Sequence, residues 1–313
     1  MVFRLHSVTV HTLQAAQIPQ FRQHLSPVNP VKIIRDPQLL HPILSALSSP
    51  RVLVPTMGAL HEGHLTLIRH ARKLAGDDGC VITSLFVNPT QFNQAEDLEN
   101  YPRTEEADLD KCRTQGVDIV FIPTPNTIYA SDHSAIVTEN LLAQHLCGAT
   151  RPGHFDGVCT IVLKLFNLTR ADKAVFGKKD YQQLAIIRRM VRDLNIPITI
   201  EGVDTVREPS GLALSSRNQR LTPPQKKDAA RIRRGLLAAQ SAFLQQETSA
   251  VALLKIARQE IDSSSENATI DYLQLLDAET LQPIQEVTQP AIIATAVFYD
   301  KVRLIDNIEL LTP

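Results

Sequence analysis

The chain has 313 residues, 43% of them hydrophobic and 21% charged, with a formal charge of −1. That length allows one large or two ordinary domains with ample core, and no apolar run approaches a membrane span. Near-neutral charge excludes a surface that captures nucleic acid by bulk electrostatics, and the basic runs "IRRMVR" and "ARIRRG" read as solvated helix faces.

Residues 1–29 carry scattered Pro and Gln and only one short alternating run, so they are set apart as an N-terminal extension. From about residue 30 short β-branched runs alternate with longer amphipathic ones. "RVLVPT" reads as a strand, 63–75 as a helix, "CVITSLFVN" as a strand, 104–115 as a helix and "VDIVFIP" as a strand. "KAVFG", a helix over 180–193 and "ITIEGV" continue the rhythm. Apolar strands alternating with helices imply a parallel sheet covered on both faces. After residue 206 the pattern changes. "TPPQKKDAARIRRGLLAAQSAFLQQ" predicts one long helix with prolines in its first turn, and a second helix covers 250–262. "TIDYLQLLDA" and "AIIATAVFYDKVRLIDN" then alternate as strands, with Asp300-Lys301 as a hairpin tip. The expected fold is α/β: a Rossmann-like parallel-sheet domain over 30–205, followed by a smaller α+β domain over 206–313.

The stretch "VPTMGALHEGHL" passes from a strand's carboxyl end to a helix's amino end, where open α/β sheets bind ligands. Backbone amides are expected to be unpaired there, the helix dipole favours an anion, and Gly58 and Gly63 leave room for a flat ligand. His61 and His64, three apart, project from nearly one face of a turn. The zincin spacing fails because Leu65 stands where the second histidine is needed. A Walker A loop fails because histidine replaces lysine, and no G-x-G occurs for a dinucleotide fingerprint. Taken alone, H-x-G-H fits a phosphate site, a metal pair or an ordinary helix start.

Three other strand ends carry polar groups. "SLFVNPTQF" places Gln91 at one. "FGKKDYQQL" places Lys178, Lys179 and Asp180 at a second, with Gln183 in the following helix turn. "SGLALSSRNQRL" gathers Ser215, Ser216 and Arg217 beside the expected domain boundary. Lysine, hydroxyls, arginine and imidazoles on one rim are what a triphosphate needs. The four cysteines (Cys80, Cys112, Cys147, Cys159) lie in apolar contexts without a C-x-x-C pair and read as buried thiols. With no secretory signal evident at the amino terminus, a cytoplasmic location is expected.

At these residues the chain resembles the pantothenate synthetases (pantoate–β-alanine ligases), members of the H-x-G-H nucleotidylyltransferase superfamily. The matching stretches are "PTMGALHEGHLTLI", "FVNPTQF", "YPRT", "RPGHFDGV", "VLKLFN", "FGKKDYQQLAIIR", "GLALSSRN" and "RLIDN", which span about residues 50 to 307 in family order. The resemblance implies a reaction in which ATP and pantoate give pantoyl adenylate and diphosphate, after which β-alanine displaces AMP. It implies an ATP site made of Met57, Gly58, Ala59, Leu60, His61, Glu62, Gly63, His64, Gly177, Lys178, Lys179, Asp180, Val206, Leu214, Ser215, Ser216 and Arg217. Among these His64, His61, Lys179, Ser215, Ser216 and Arg217 would carry catalysis, with His64 as proton donor. Gln91 and Gln183 would hold pantoate, and Gln91 would also face β-alanine. Mg2+ accompanies ATP, and Asp108 is the best match for a carboxylate ligand to it, although Ala107 stands where relatives carry a second acid. The resemblance also implies a homodimer, with no nucleic acid and no membrane among its partners.

Lys178 departs from the acid common at its position, and is expected to contribute backbone contacts. His154, in "RPGHFDGV", reads either as a substrate contact or as a packed loop residue, and stays outside the catalytic set. Two other readings compete: a nucleotidylyltransferase that needs no amine acceptor, and a zinc protein using His61 and His64. The glutamines of "NPTQF" and "DYQQL" favour the ligase. A class I aminoacyl-tRNA synthetase is disfavoured by length, charge and the lack of an anticodon-binding module.

Overall fold

The computed structural model describes residues 31–47, 50–264 and 266–311, so the expected extension over 1–29 lies outside the described residues. The chain runs β1 (Lys32–Ile34), α1 (Pro37–Ser45), β2 (Arg51–Thr56), α2 (Glu62–Ala75), β3 (Cys80–Leu85), α3 (Ala95–Glu99), α4 (Glu105–Thr114) and β4 (Ile119–Phe121). Short helices α5 (Pro125–Ile128) and α6 (Leu146–Thr150) precede the long α7 (His154–Thr169). Then come β5 (Lys173–Gly177), α8 (Tyr181–Asp193) and β6 (Thr199–Val203). These six strands form one parallel sheet in the order β1-β4-β3-β2-β5-β6. The chain winds outward in both directions from the neighbours β2 and β5. The crevice beyond their carboxyl ends is therefore the sheet's switch point, where ligands bind in such folds.

Strand alternation explains why the runs read as continuously apolar. Val52, Val54, Val81, Val120 and Val175 face α2 and α4 and pack with Ile68, Ala71 and Cys112. Leu53, Ile82, Ile119, Phe121, Ala174 and Phe176 face the other side and pack against α7 and α8. Both faces are dry, as a parallel sheet between two helix layers requires. The four cysteines are buried and free, as expected.

Helices α9 (Pro223–Asp228), α10 (Ala230–Leu244) and α11 (Ala250–Asp262) lead into β7 (Ala268–Asp277), β8 (Ala291–Tyr299) and β9 (Val302–Leu310). These strands make an antiparallel sheet in the order β7-β8-β9. Tyr299 pairs with Val302 across the Asp300-Lys301 tip, where Asp300 takes φ 50. The single long helix expected after residue 222 is two. Ala229 interrupts it, and the Asp228 carboxylate is drawn into bonds with Arg231, Ser264 and Tyr299. Ile293 and Val297 of β8 pack under Leu236 and Leu253 of α10 and α11, whereas Ile292 and Ala294 on its opposite face join the core of the parallel sheet. Among the described residues no helix is long and apolar enough to cross a membrane.

Candidate active site

The turn after β2 is built around a buried carboxylate. Gly58 and Ala59 take positive φ, 83 and 50. This turns the amides of Ala59 and Leu60 inward onto the two oxygens of Asp108, each at 2.8 Å, and Thr104 Oγ1 donates to the same group at 3.1 Å. Asp108 is 1% exposed. A β-carbon on Gly58 would stand 3.2 Å from Asp108 Oδ2, so this glycine makes room for the carboxylate. The expectation of a magnesium ligand at Asp108 meets a different arrangement: its oxygens are occupied by the loop they anchor. Among the described residues no group of three or more His, Cys, Asp or Glu is placed to hold a metal ion.

His61 is the N-cap of α2 and His64 its third residue, and they cap reciprocally. The Gly63 amide donates to His61 Nδ1 at 3.1 Å and the His61 amide to His64 Nδ1 at 3.3 Å. The amides expected to be free for phosphate are thus largely paired, because the imidazoles do the work of capping side chains. Gly63 is needed for the same reason: its β-carbon would lie 2.8 Å from His61 Cε1. With both Nδ1 atoms accepting, each ring carries its proton on Nε2. The rings lie 4.1 Å apart at 35°. Burial, reinforced by the Lys179 and Lys111 ammoniums, lowers the His61 pKa to about 4. Burial, then His61, Lys179 and Lys111, lowers that of His64 to about 3. Both are neutral hydrogen-bond donors at ordinary pH.

At the switch point's other strand, β5 ends in a 3-10 turn, Lys178–Asp180. The two lysines diverge. Lys178 Nζ pairs with Asp204 at 2.8 Å and Glu309 at 3.4 Å, whereas Lys179 lines the cavity and burial lowers its pKa. Asp180 stands at the N-cap of α8 without a side-chain cap bond and also lines the cavity. Gln183 reaches the same wall. Its neighbour Gln182 is buried, taking the Cys147 amide at 3.0 Å and donating to the Leu142 and His145 carbonyls, each at 2.7 Å.

The loop after β3 presents Gln91 from a 3-10 turn, Pro89–Gln91. Its amide is set by Asn88 Nδ2 at 3.1 Å and Met57 Sδ at 3.1 Å. Its backbone carbonyl is clamped by His154 Nδ1 at 2.8 Å and Arg151 at 3.1 Å, while Arg151 also donates to His154 Nε2 at 3.3 Å. Burial, then the Arg151 charge, lowers the His154 pKa to about 4. This clamp was missed in the sequence; its one trace there is a cation and an imidazole three apart before an apolar helix. The loop also touches α7, where a β-carbon on Gly157 would lie 2.5 Å from the Thr90 carbonyl oxygen.

The fourth segment follows β6. The Leu214 amide bonds to the Val206 carbonyl at 3.0 Å, and Leu214 lies against Gly63. Ser215 caps the turn Ser216–Arg220 by accepting from the Arg217 amide at 3.3 Å. Arg217 and Arg220 approach Asp97 of α3 at 3.8 and 3.7 Å.

These segments enclose a cavity of about 320 Å³ between the two sheets. Of the residues expected at the site, Met57, Gln91, Lys179, Asp180, Gln183, Ser215 and Arg217 line it. Gly58 to His64, Gly177, Lys178, Val206, Leu214 and Ser216 are not on its wall. The imidazoles lie behind that wall, near enough to Lys179 for its charge to help lower the pKa of both. Arg151 and Arg303 also line the cavity and were not expected there. Arg303, from β9, bonds to Asp271 at 2.7 Å and to Thr150 at 3.2 Å across the gap between the two sheets.

Similar proteins carry the same organisation. The sequence model of the pantoate-beta-alanine ligase family matches residues 32–309. A pantothenate synthetase of Akkermansia muciniphila is 54% identical over 259 residues, covering 83% of this chain and 92% of that one. The Thermotoga neapolitana pantothenate synthetase is 46% identical, covering 81% and 89%. Among solved structures, the Thermus thermophilus pantothenate synthetase superposes with a TM-score of 0.84 at 39% identity, covering 90% of this chain and 100% of that one. A Francisella tularensis pantoate-beta-alanine ligase, solved in complex with beta-gamma ATP and beta-alanine, gives 0.71 at 33% identity, covering 90% and 99%. With a match that runs from the first strand of the parallel sheet to the last strand of the second, this chain belongs to the pantoate–β-alanine ligase family.

Proposed function

We propose that this enzyme condenses pantoate with β-alanine at the expense of ATP, through a pantoyl adenylate, releasing diphosphate and then AMP. The observation that carries this reading is the meeting of Lys179, Ser215, Arg217 and Gln91 around one cavity at the sheet's switch point, beside two neutral imidazoles. Family membership and the Francisella relative's complex with beta-gamma ATP and beta-alanine support it.

In the first step a pantoate carboxylate oxygen attacks the α-phosphorus, and the bond to the β-phosphate's bridging oxygen breaks. Two anions approach, so the barrier is largely electrostatic. Lys179 and Arg217 supply positive charge, Ser215 and Ser216 supply hydroxyl donors, and His61 and His64 donate from Nε2–H. As neutral imidazoles the histidines stabilise charge by hydrogen bonding, and His64 is the proton donor in that sense. Met57 to His64, Gly177 to Asp180, Val206 and Leu214 to Arg217 form the ATP site, with Lys178 contributing backbone. Mg2+, bound with ATP, supplies Lewis-acid neutralisation of the phosphates; Asp97, at the cavity wall, is better placed than the buried Asp108 to approach it.

In the second step the β-alanine nitrogen, as the free amine, attacks the acyl carbon, the carbon–oxygen bond to AMP breaks with its electron pair leaving on AMP, and the nitrogen's proton passes to solvent. Gln91 and Gln183, which hold pantoate's hydroxyls and carboxylate in the first step, hold the pantoyl hydroxyls here, and Gln91 faces the amine. We assign residues 30–205 to the substrate-binding domain and 206–313 to a lid that keeps water from the mixed anhydride. The protein works as a cytoplasmic homodimer. The test is exchange of labelled diphosphate into ATP: it should require pantoate and proceed without β-alanine. Absence of exchange from folded protein would overturn the reading.

A further inference from the structure

Asn307 belongs to the second sheet, yet its side chain serves the first. It is 8% exposed, and its Nδ2 donates to the carbonyl oxygens of Lys178 and Lys179, both at 2.9 Å. A carboxamide has two N–H donors, and both are spent on this turn. Neighbours on β9 fix its aim. The Asn307 backbone N–H donates to Asp306 Oδ1 at 2.8 Å, and Asp306 holds Arg207 by bonds of 2.6 and 2.9 Å. Two residues on, Glu309 takes the Lys178 ammonium away from the cavity, with Asp204 beside it. The lysine turn is thus gripped through its main chain by one strand of the opposite sheet, and of its two lysines the one left facing the cavity is Lys179, with Asp180 and Asn307 itself also at the wall.

We infer that Asn307 is a positioning residue for Lys179, suspending the lysine turn from β9 so that the second sheet sets where the ammonium meets the triphosphate. The inference rests on the reading of Lys179 as an ATP-binding group. Adenylate formation needs that ammonium while diphosphate departs. Amine attack on the finished adenylate, with diphosphate gone, depends on it less. Loss of Asn307 therefore separates the two half-reactions.

The experiment uses Asn307→Asp, which keeps the shape but sets a carboxylate against two carbonyls, and the milder Asn307→Ser. Pantoate-dependent exchange should fall by about tenfold or more in Asn307→Asp and less in Asn307→Ser, as expected when a transition-state cation is misplaced. Single-turnover attack of β-alanine on preformed pantoyl adenylate should stay within about twofold of the wild type. Wild-type exchange in Asn307→Asp, or equal loss in both half-reactions, overturns the inference. If Asn307→Asp does not fold, Asn307→Ser decides by the same comparison. A wild-type protein without exchange would instead remove the reading of the site itself.

Discussion

The His61 amide hydrogen is aimed at Nδ1 of His64, 3.3 Å away, which fixes the tautomer of the second ring by the backbone of the first. The two histidines are one capping unit, held uncharged by burial and by nearby ammoniums. Folded pKa values of about 4 and 3 lie below the ordinary 6.5, so the unfolded chain takes up protons first as pH falls. Their contribution to stability is complete above about pH 6.5 and is lost progressively as pH falls toward the folded values. Urea midpoints measured from pH 7.5 to 4.5 should decline, and His64→Gln should flatten that decline. An equal slope in the variant would place the titration elsewhere.

Asp108 gives a second expectation. Asp108→Asn replaces an oxygen that accepts from main-chain amides with a donor, leaving a buried N–H unpaired at a cost of about 1–3 kcal/mol. The melting temperature should drop and the KM for ATP rise as the histidine turn loosens. The magnesium concentration giving half-maximal rate should not move. A large shift in that concentration would restore Asp108 as a metal ligand.

The adjacent glutamines should part company. Gln182→Ala removes a buried group with three hydrogen bonds, so thermal stability should fall by an amount on the order of 1–3 kcal/mol. Gln183→Ala, at the cavity wall, should melt as the wild type does while the KM for pantoate rises by about tenfold. Calorimetry and initial rates on the two proteins read this out, and an interchange of the effects would refute the assignment.

His154→Ala should free the Gln91 carbonyl from half of its clamp. Because Gln91 is poised rather than created by that clamp, the expected result is a several-fold higher KM for pantoate, on the order of 1 kcal/mol of lost binding, with kcat less affected. A kcat falling by orders of magnitude at unchanged KM would make His154 a catalytic group instead.

The parts of this protein that could be read in one dimension share a physical reason. Strands β3, β5 and β6 each run out into a segment whose polar side chains have no place in a core, so Gln91, Lys179, Ser215 and Arg217 announced themselves. Helix α7 did not. Buried over Phe155, Val158, Cys159, Ile161, Val162, Leu165 and Phe166, it is apolar almost all round and offers no 3.6-residue stripe. Asp108 was noticed but given another role, since nothing local tells that a carboxylate 48 and 49 residues beyond Leu60 and Ala59 will accept their amides. The Arg151–His154 clamp was invisible for the same reason: its meaning lies in the Gln91 carbonyl, which only the packing of α7 on the preceding loop brings near.

Strand β8 sends alternate side chains into two different cores, Ile292 and Ala294 toward the nucleotide half and Ile293 and Val297 toward the helices behind it. Wide separation of the halves would wet Leu276 and Ile292 along with the crevice, so the lid motion proposed for residues 206–313 is confined to a pivot about this apolar seam. The same seam makes each half a poor candidate for independent existence. A protease cut in the connecting segment should yield pieces that stay associated, or precipitate once prised apart.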